Sequence, residues 1–192
     1  IPAKPERFEF DAEVAEIFDD MAARSLPGYH YVYSRITDLV SRMEIPNYSQ
    51  VWDFGTSTGT GLAAVMRGVR HPYVHYMACD ISGPMVVKAT QKCPLAEVFE
   101  HDLHEGLPAS VNHGKVAVAM FGWTLQFLPE RSQNPAVHDQ ISALRRQFAI
   151  VAGPRALMKL ISPHARVIRE GHALLPTPPD RAQSCGWTCS CI

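Results

Sequence analysis

Three acids stand at the ends of apolar runs. Asp53 precedes the glycine-rich stretch Gly55-Thr56-Ser57-Thr58-Gly59-Thr60-Gly61, Asp80 closes the next run, and Asp102 follows a third. A strand, a glycine loop and a helix in that order put backbone N–H groups at the carboxyl edge of a parallel sheet. A phosphate-gripping loop would read G-x4-G-K-[ST], and no lysine follows these glycines. A dinucleotide loop would read G-x-G-x-x-G, whereas Ser57 holds the middle of this turn. A carboxylate at Asp53 repels a pyrophosphate and attracts an ammonium or sulfonium group. Asp80, about twenty residues past the loop, is placed to accept hydrogen bonds from ribose hydroxyls. Asp102 is placed either to meet an adenine amino group or to cap a turn. An amino acid, a ribose and an adenine without phosphate describe S-adenosylmethionine (SAM). Each acid alone reads equally well as a helix cap or a solvated turn, so the signal is the three in register.

Those acids need a sheet to hold them. Val51 to Phe54 reads as a buried strand, and Leu62, Val65, Met66 and Val69 as the helix after it. Tyr73 to Cys79 is a second strand ending at Asp80, followed by a helix around Met85 to Ala89. A weaker strand, Ala96 to Phe99, ends near Asp102. Val116 to Phe121 is a strong strand; Val137, Ile141, Leu144 and Phe148 mark one face of a helix, and Ala156 to Ile161 is the last strand. Strands alternating with helices predict an α/β fold with a parallel sheet flanked by helices.

Two extra helices precede that alternation. Phe10, Val14, Ile17, Phe18 and Met21 recur at helical spacing behind Asp11, a plausible cap. Leu26-Pro27-Gly28 breaks this helix; Val32, Ile36, Leu39, Val40 and Met43 mark a second, ended by Pro46 and Asn47. Residues 1–162 thus form one domain of Rossmann-like type. Residues 163–192, with scattered prolines and basic residues, read as an irregular tail, disordered or non-native, which leaves the C-terminal part of the fold incomplete.

The chain has 192 residues, 46% of them apolar and 19% charged, which is a globular composition. A net charge of −1 supplies no whole-protein field to draw nucleic acid or an anionic membrane. No apolar run approaches the length that spans a bilayer, and no signal segment opens the chain. Five cysteines, an odd number, favour reduced thiols and a cytoplasmic setting. Cys185, Cys189 and Cys191 lack the paired spacing of a zinc site, so a loose tail is the better reading and no metal is expected.

At three places the sequence resembles the carboxy-SAM synthase family, within the class I SAM-dependent methyltransferase superfamily. These are Phe18-Asp-Asp-Met21 with Arg24-Ser-Leu-Pro-Gly-Tyr29, then Asp53-Phe-Gly-Thr-Ser-Thr-Gly59, then Thr124-Leu-Gln-Phe-Leu128. The resemblance runs over about residues 8–161. It implies the class I methyltransferase fold, SAM or carboxy-SAM as cofactor, and prephenate as the small-molecule substrate that supplies carbon dioxide. Carboxy-SAM then serves the modification of a wobble uridine in tRNA. By resemblance Tyr29 closes over the cofactor, and Gly55, Thr56 and Ser57 face its methionine part, with Asp53 and Gly59 framing the loop. Asp80 with Ile81 holds ribose and adenine, and Asp102 with Leu103 the adenine edge. Gly122 stands where the family has an asparagine before Phe-Thr-Leu-Gln-Phe-Leu, and Trp123 follows it. The family's carboxylate-binding arginine lies beyond the fifth strand, where Arg166 and Arg169 of this chain have no local match to it. A homodimer stays open.

Other chemistries fit less well. His101-Asp-Leu-His104 lacks a third converging ligand and reads as a polar turn. There is no G-x-S-x-G elbow and no Asn/Asp-Pro-Pro-aromatic motif of enzymes that methylate exocyclic amino groups of DNA bases. Phe127 is expected in the core, Cys79 as a small buried hydrophobe, and Tyr29 as the functional aromatic beside a hinge. No residue is a convincing general base, so the catalytic residues are left unassigned. The alternatives are a methyltransferase acting on a small molecule or tRNA, and a non-catalytic SAM-binding or partner-binding remnant.

Overall fold

The computed structural model describes residues 10–69, 72–128, 134–144, 149–153 and 156–161. Helix α1 (Ala12–Ser25) opens this part, with Asp11 accepting from the Val14 amide at 2.9 Å as its N-cap. Gly28, at φ 73°, makes the left-handed turn into α2 (Tyr29–Ser41), which ends several residues before the expected Pro46 stop. Then follow β1 (Gln50–Phe54), α3 (Thr60–Gly68), β2 (His75–Asp80), α4 (Gly83–Lys92) and β3 (Glu97–Glu100). The chain continues through β4 (Val116–Gly122), a 3-10 turn at Leu125–Phe127, α5 (Pro135–Leu144), β5 (Ala149–Gly153) and β6 (Ala156–Ile161).

The sheet order is β3-β2-β1-β4-β5-β6. The first five strands are parallel, and β6 runs antiparallel to β5. The order reverses between β1 and β4, and the crevice at such a reversal, beyond the carboxyl ends of the strands, is where this architecture binds ligands. Of the five strands expected, the first four are parallel as expected, and the last, Ala156–Ile161, is corrected to antiparallel because it returns beside β5. Strand β5 had no place in the sequence reading, which ran the α5 pattern on to Phe148; that residue lies outside the described residues, as do 163–192.

Alternation along β1 sends Val51 to one face and Trp52 and Phe54 to the other, all fully buried. On the first face Val51, Val118 and Met120 pack against Val32, Ile36 and Val40 of α2 and Ala64 and Val65 of α3. On the second, Trp52 stacks on Phe54 at 5.1 Å and Phe54 on Phe121 at 4.9 Å, covered by Val137, Ile141 and Leu144 of α5. Apolar burial on both faces is what makes a parallel sheet stable and its strand ends rigid.

Helix α1 stands apart from this scheme. Among the described residues, none of the core clusters takes a member from it. Its only buried residues are Ala15 and Ala22; Val14, Phe18 and Met21 are half-buried and Ile17 is exposed. Phe127, expected in the core, is 59% exposed, its ring edge-on to Phe10 at 6.2 Å. No helix among the described residues is long and apolar enough to cross a membrane.

Candidate functional site

The glycine loop leaves β1 and is stitched at once to β2. The amides of Gly55 and Thr56 both donate to the Cys79 carbonyl, at 2.9 and 3.0 Å. Gly55, at φ 71°, packs so tightly on Thr124 that a Cβ there would lie 2.5 Å from its side chain. Thr124 in turn donates from Oγ1 to the Phe54 carbonyl at 2.9 Å. The loop therefore rests on the turn after β4, which brings the second and third blocks of the sequence resemblance into contact. Gly59, at φ 81°, has no room for a Cβ against Ala89 of α4, and from it α3 starts.

Asp53 and Asp80 sit beneath and beside this loop. Asp53 is 2% exposed and accepts from Thr56 Oγ1 at 2.8 Å. Burial pushes its carboxyl up to about 7, with the charge of Asp80 adding to the rise against the Thr56 hydroxyl and the Leu62 amide. Asp80 accepts from the Ser57 amide at Oδ2 (2.8 Å) and from the Ser82 amide at Oδ1 (3.0 Å). Burial raises its pKa too, and the amides of Ser82, Ser57 and Ile81 oppose that rise. Among the described residues no cationic side chain pairs with either acid. Two buried acids around backbone donors, uncompensated by a cation, suit a positively charged ligand and not a phosphate.

The other candidates divide. Ile81 is 52% exposed beside Asp80, an apolar side chain free to lie against a flat ring, whereas Leu103 is buried in the core cluster of Trp52. Asp102 Oδ1 accepts from the His104 amide at 2.8 Å and meets His104 Nδ1 at 2.6 Å. Burial alone would raise its pKa, but the His104 contacts hold it below the usual value. It thus takes the turn-capping option in this structure, one strand removed from the loop; the His101 amide donates to the Asp80 carbonyl at 2.9 Å. Cys79 is fully buried, its thiol pushed up to about 12 by burial.

Aromatic side chains wall the remaining side. Tyr29 is 4% exposed at the start of α2, with Tyr33 edge-on at 4.9 Å and Trp123 at 5.7 Å. Burial raises the Tyr29 phenol, the Asp19 charge adds to this, and hydrogen bonds with Thr60 and Tyr33 pull back. Trp123 holds φ 56°, rare for a bulky residue, and so presents its ring to Tyr29 and Tyr33. Gly122 lies below, where a Cβ would meet only Tyr33 Oη, at 3.7 Å.

Sequence reasoning missed Asp19, Thr58, Thr60, Lys92 and Tyr33. Asp19 Oδ1 accepts from Thr58 and Thr60 on either side of Gly59, and Lys92 Nζ holds Asp19 Oδ2 at 2.6 Å. Tyr33 left a signal one helical turn beyond Tyr29, and Asp19 stands inside the first block of the sequence resemblance.

No protein-family model matches the chain. A carboxy-S-adenosyl-L-methionine synthase of Salmonella paratyphi B is 35% identical over 138 residues, which is 69% of this chain and 53% of that protein. The chain thus spans about half the length of the curated relatives it matches. A provisionally named S-adenosyl-L-methionine-dependent methyltransferase of Methanococcus maripaludis superposes with a TM-score of 0.58 at 14% identity, over 88% of this chain and 75% of that one. A SAM-dependent methyltransferase of Aquifex aeolicus gives 0.54 at 17% identity, over 74% of this chain and 72% of that one. At these identities the superpositions establish the fold. The domain has the fold of the class I SAM-dependent methyltransferases. Among proteins of that fold the chain is similar in sequence to the carboxy-SAM synthases, over about half of their length.

Proposed function

We propose that this domain binds SAM at the glycine loop and, as part of a carboxy-SAM synthase-like transferase, converts it with prephenate to carboxy-SAM for tRNA wobble-uridine modification. The observation that carries the reading is the pair of buried acids, Asp53 and Asp80, at the carboxyl edge of adjacent strands around a loop without a phosphate clamp. In the proposal Asp53 and the loop from Gly55 to Gly59 take the methionine end. Asp80 and Ile81 take the ribose and adenine, and Asp102 with Leu103 borders the adenine. Tyr29 and Trp123 exclude water from the sulfonium side, where a dry site strengthens each electrostatic contact. For this reaction the methyl carbon of bound SAM would give up a proton and bond as a nucleophile to the carbon dioxide that prephenate loses, the proton leaving with prephenate's hydroxyl as water. The residues contribute positioning and a neutral-to-negative wall.

The test incubates the protein with SAM and prephenate and follows carboxy-SAM by mass spectrometry. Carboxy-SAM formation that needs both reactants supports the proposal. SAM binding without it supports the second reading, a methyltransferase for a small molecule or tRNA. Gly122 favours that alternative, because it leaves space beside the ring of Trp123 where the resembling family has a polar side chain. No SAM binding by calorimetry leaves the non-catalytic remnant. The cytoplasmic setting and a homodimer belong to the same proposal, checked by fractionation and by light scattering.

A further inference from the structure

Helix α1 lies across the mouth of the crevice and is held there at its edges. At its start, the Phe10 carbonyl accepts from Ser82 Oγ, next to Asp80, while the Phe10 ring meets Phe127 beyond β4. At its middle, Asp19 accepts from Thr58 and Thr60 of the glycine loop. Lys92, from the last turn of α4, donates to Asp19 Oδ2 at 2.6 Å, to Thr60 Oγ1 at 2.8 Å and to Thr58 Oγ1 at 3.3 Å. One turn back along α1 and α4, Glu16 pairs with Lys88 at 2.6 Å. At its end, Pro27 and Gly28 form a break before Tyr29. A helix with two buried alanines and no place in the core clusters belongs to the low-stability end of the molecule. Burial alone would raise the Asp19 carboxyl, yet the hydrogen bonds from Lys92, Thr58 and Thr60 hold it below its usual value.

We propose that Asp19 and Lys92 form a clasp that holds α1 shut over the glycine loop, and that its release, with α1 swinging about Pro27-Gly28, admits and discharges the cofactor. The cofactor half of this inference rests on the proposed SAM site. The clasp joins three elements at one point, since Asp19 belongs to α1, Thr58 and Thr60 to the loop and start of α3, and Lys92 to α4. Opening the helix therefore also frees the loop. Glu16 and Lys88 add a weaker, more exposed contact. Asp19 and Lys92 are positioning residues, because they set the loop without reaching the reacting atoms.

The experiment uses the full chain, its Lys92→Gln variant and its Lys92→Arg variant. Hydrogen exchange without ligand should speed up by about tenfold over residues 12–25 in Lys92→Gln, the loss of one charge-assisted bond. Strands β1 and β4 should be unchanged, and Lys92→Arg should restore the helix. Stopped-flow fluorescence with SAM should then show association and dissociation both faster by several-fold, with little change in Kd. Unchanged exchange in α1, or acceleration shared equally with β1 and β4, overturns the clasp. Faster α1 exchange with unaltered SAM rates overturns the gate. If wild-type protein binds no SAM, the gate falls with the proposed function, while exchange still decides the clasp.

Discussion

The Ser57 amide donates to Asp80 Oδ2 across 2.8 Å, so the tip of the glycine loop is fastened to the carboxylate at the end of the next strand. Ser57 pays a left-handed φ of 49° for this contact. Asp80 thereby shapes the site before any ligand arrives, with Ser82 satisfied by its other oxygen. A carboxylate has about four acceptor positions, so ribose hydroxyls can share it with these amides.

Asp80→Ala leaves the Ser57 and Ser82 amides without their acceptor, at a cost of about 2–4 kcal/mol in unfolding free energy. SAM affinity should fall by at least roughly tenfold, since hydrogen bonds to a charged group are lost. Asp80→Asn retains one acceptor oxygen and should lie between wild type and alanine in both. Chemical denaturation and calorimetry check the two halves. An alanine variant with wild-type affinity would remove Asp80 from the site.

Much of this arrangement was legible in the sequence, because strand ends and helix starts are local events. The run from Val51 to Gly61 changes from a buried apolar stretch to a glycine turn, and Asp11 and Gly28 mark helix boundaries by their own chemistry. Strand β5 was lost because its apolar residues continue a helical pattern from Val137 onward. The Gly153-Pro154 break between two apolar runs was the available sign of a boundary between two strands. Phe127 and Ile17 show another limit. Apolar spacing says which side of an element avoids water in the sequence pattern, not whether that side meets the core or a crevice. Asp19 and Thr58, 39 positions apart, meet only through the fold, and no spacing announces them.

Glycine positions in the site should respond oppositely. Gly55→Ala adds a Cβ at φ 71° and 2.5 Å from Thr124, whose β-branched side chain is pinned by its bond to Phe54. It should cost about 1–3 kcal/mol in stability, with the loop displaced. Gly122→Asn introduces the side chain of the resembling family, and its Cβ would meet only Tyr33 Oη at an ordinary 3.7 Å. That variant should melt within about a degree or two of wild type, as for a substitution that disturbs no packing. Thermal melts of both variants decide the contrast.

The aromatic wall separates ring from hydroxyl. Tyr29→Ala empties a nearly closed position beside Tyr33 and Trp123, and should cost about 3 kcal/mol. Tyr29→Phe keeps the rings and removes the hydroxyl that bonds with Thr60 and Tyr33, so it should cost about 1 kcal/mol. If Tyr29 shields the cofactor by its ring, phenylalanine should bind SAM nearly as well as tyrosine, and alanine should bind it worse. Equal affinities in all three proteins would place Tyr29 in the framework alone.

Asp53 ties stability and ligand binding to pH in opposite senses. Its carboxyl titrates near 7 in the folded chain, above its ordinary value of 3.8, with burial the main cause. The folded state therefore holds an extra proton between those values, and stability falls as pH rises from about 4 through 7. Asp53→Asn removes this penalty. Its gain in Tm over wild type should be larger at pH 8 than at pH 5. A ligand bearing an ammonium and a sulfonium group favours the ionised acid, so SAM affinity of the wild type should increase over the same interval. Calorimetry in two buffers of different ionisation enthalpy should show protons released on binding at pH 6, and far fewer at pH 8.5. In Asp53→Asn the proton release should vanish, and affinity at pH 8 should drop by roughly tenfold or more. A wild-type affinity that is flat from pH 5 to 8 would mean that Asp53 ionises without feeling the ligand.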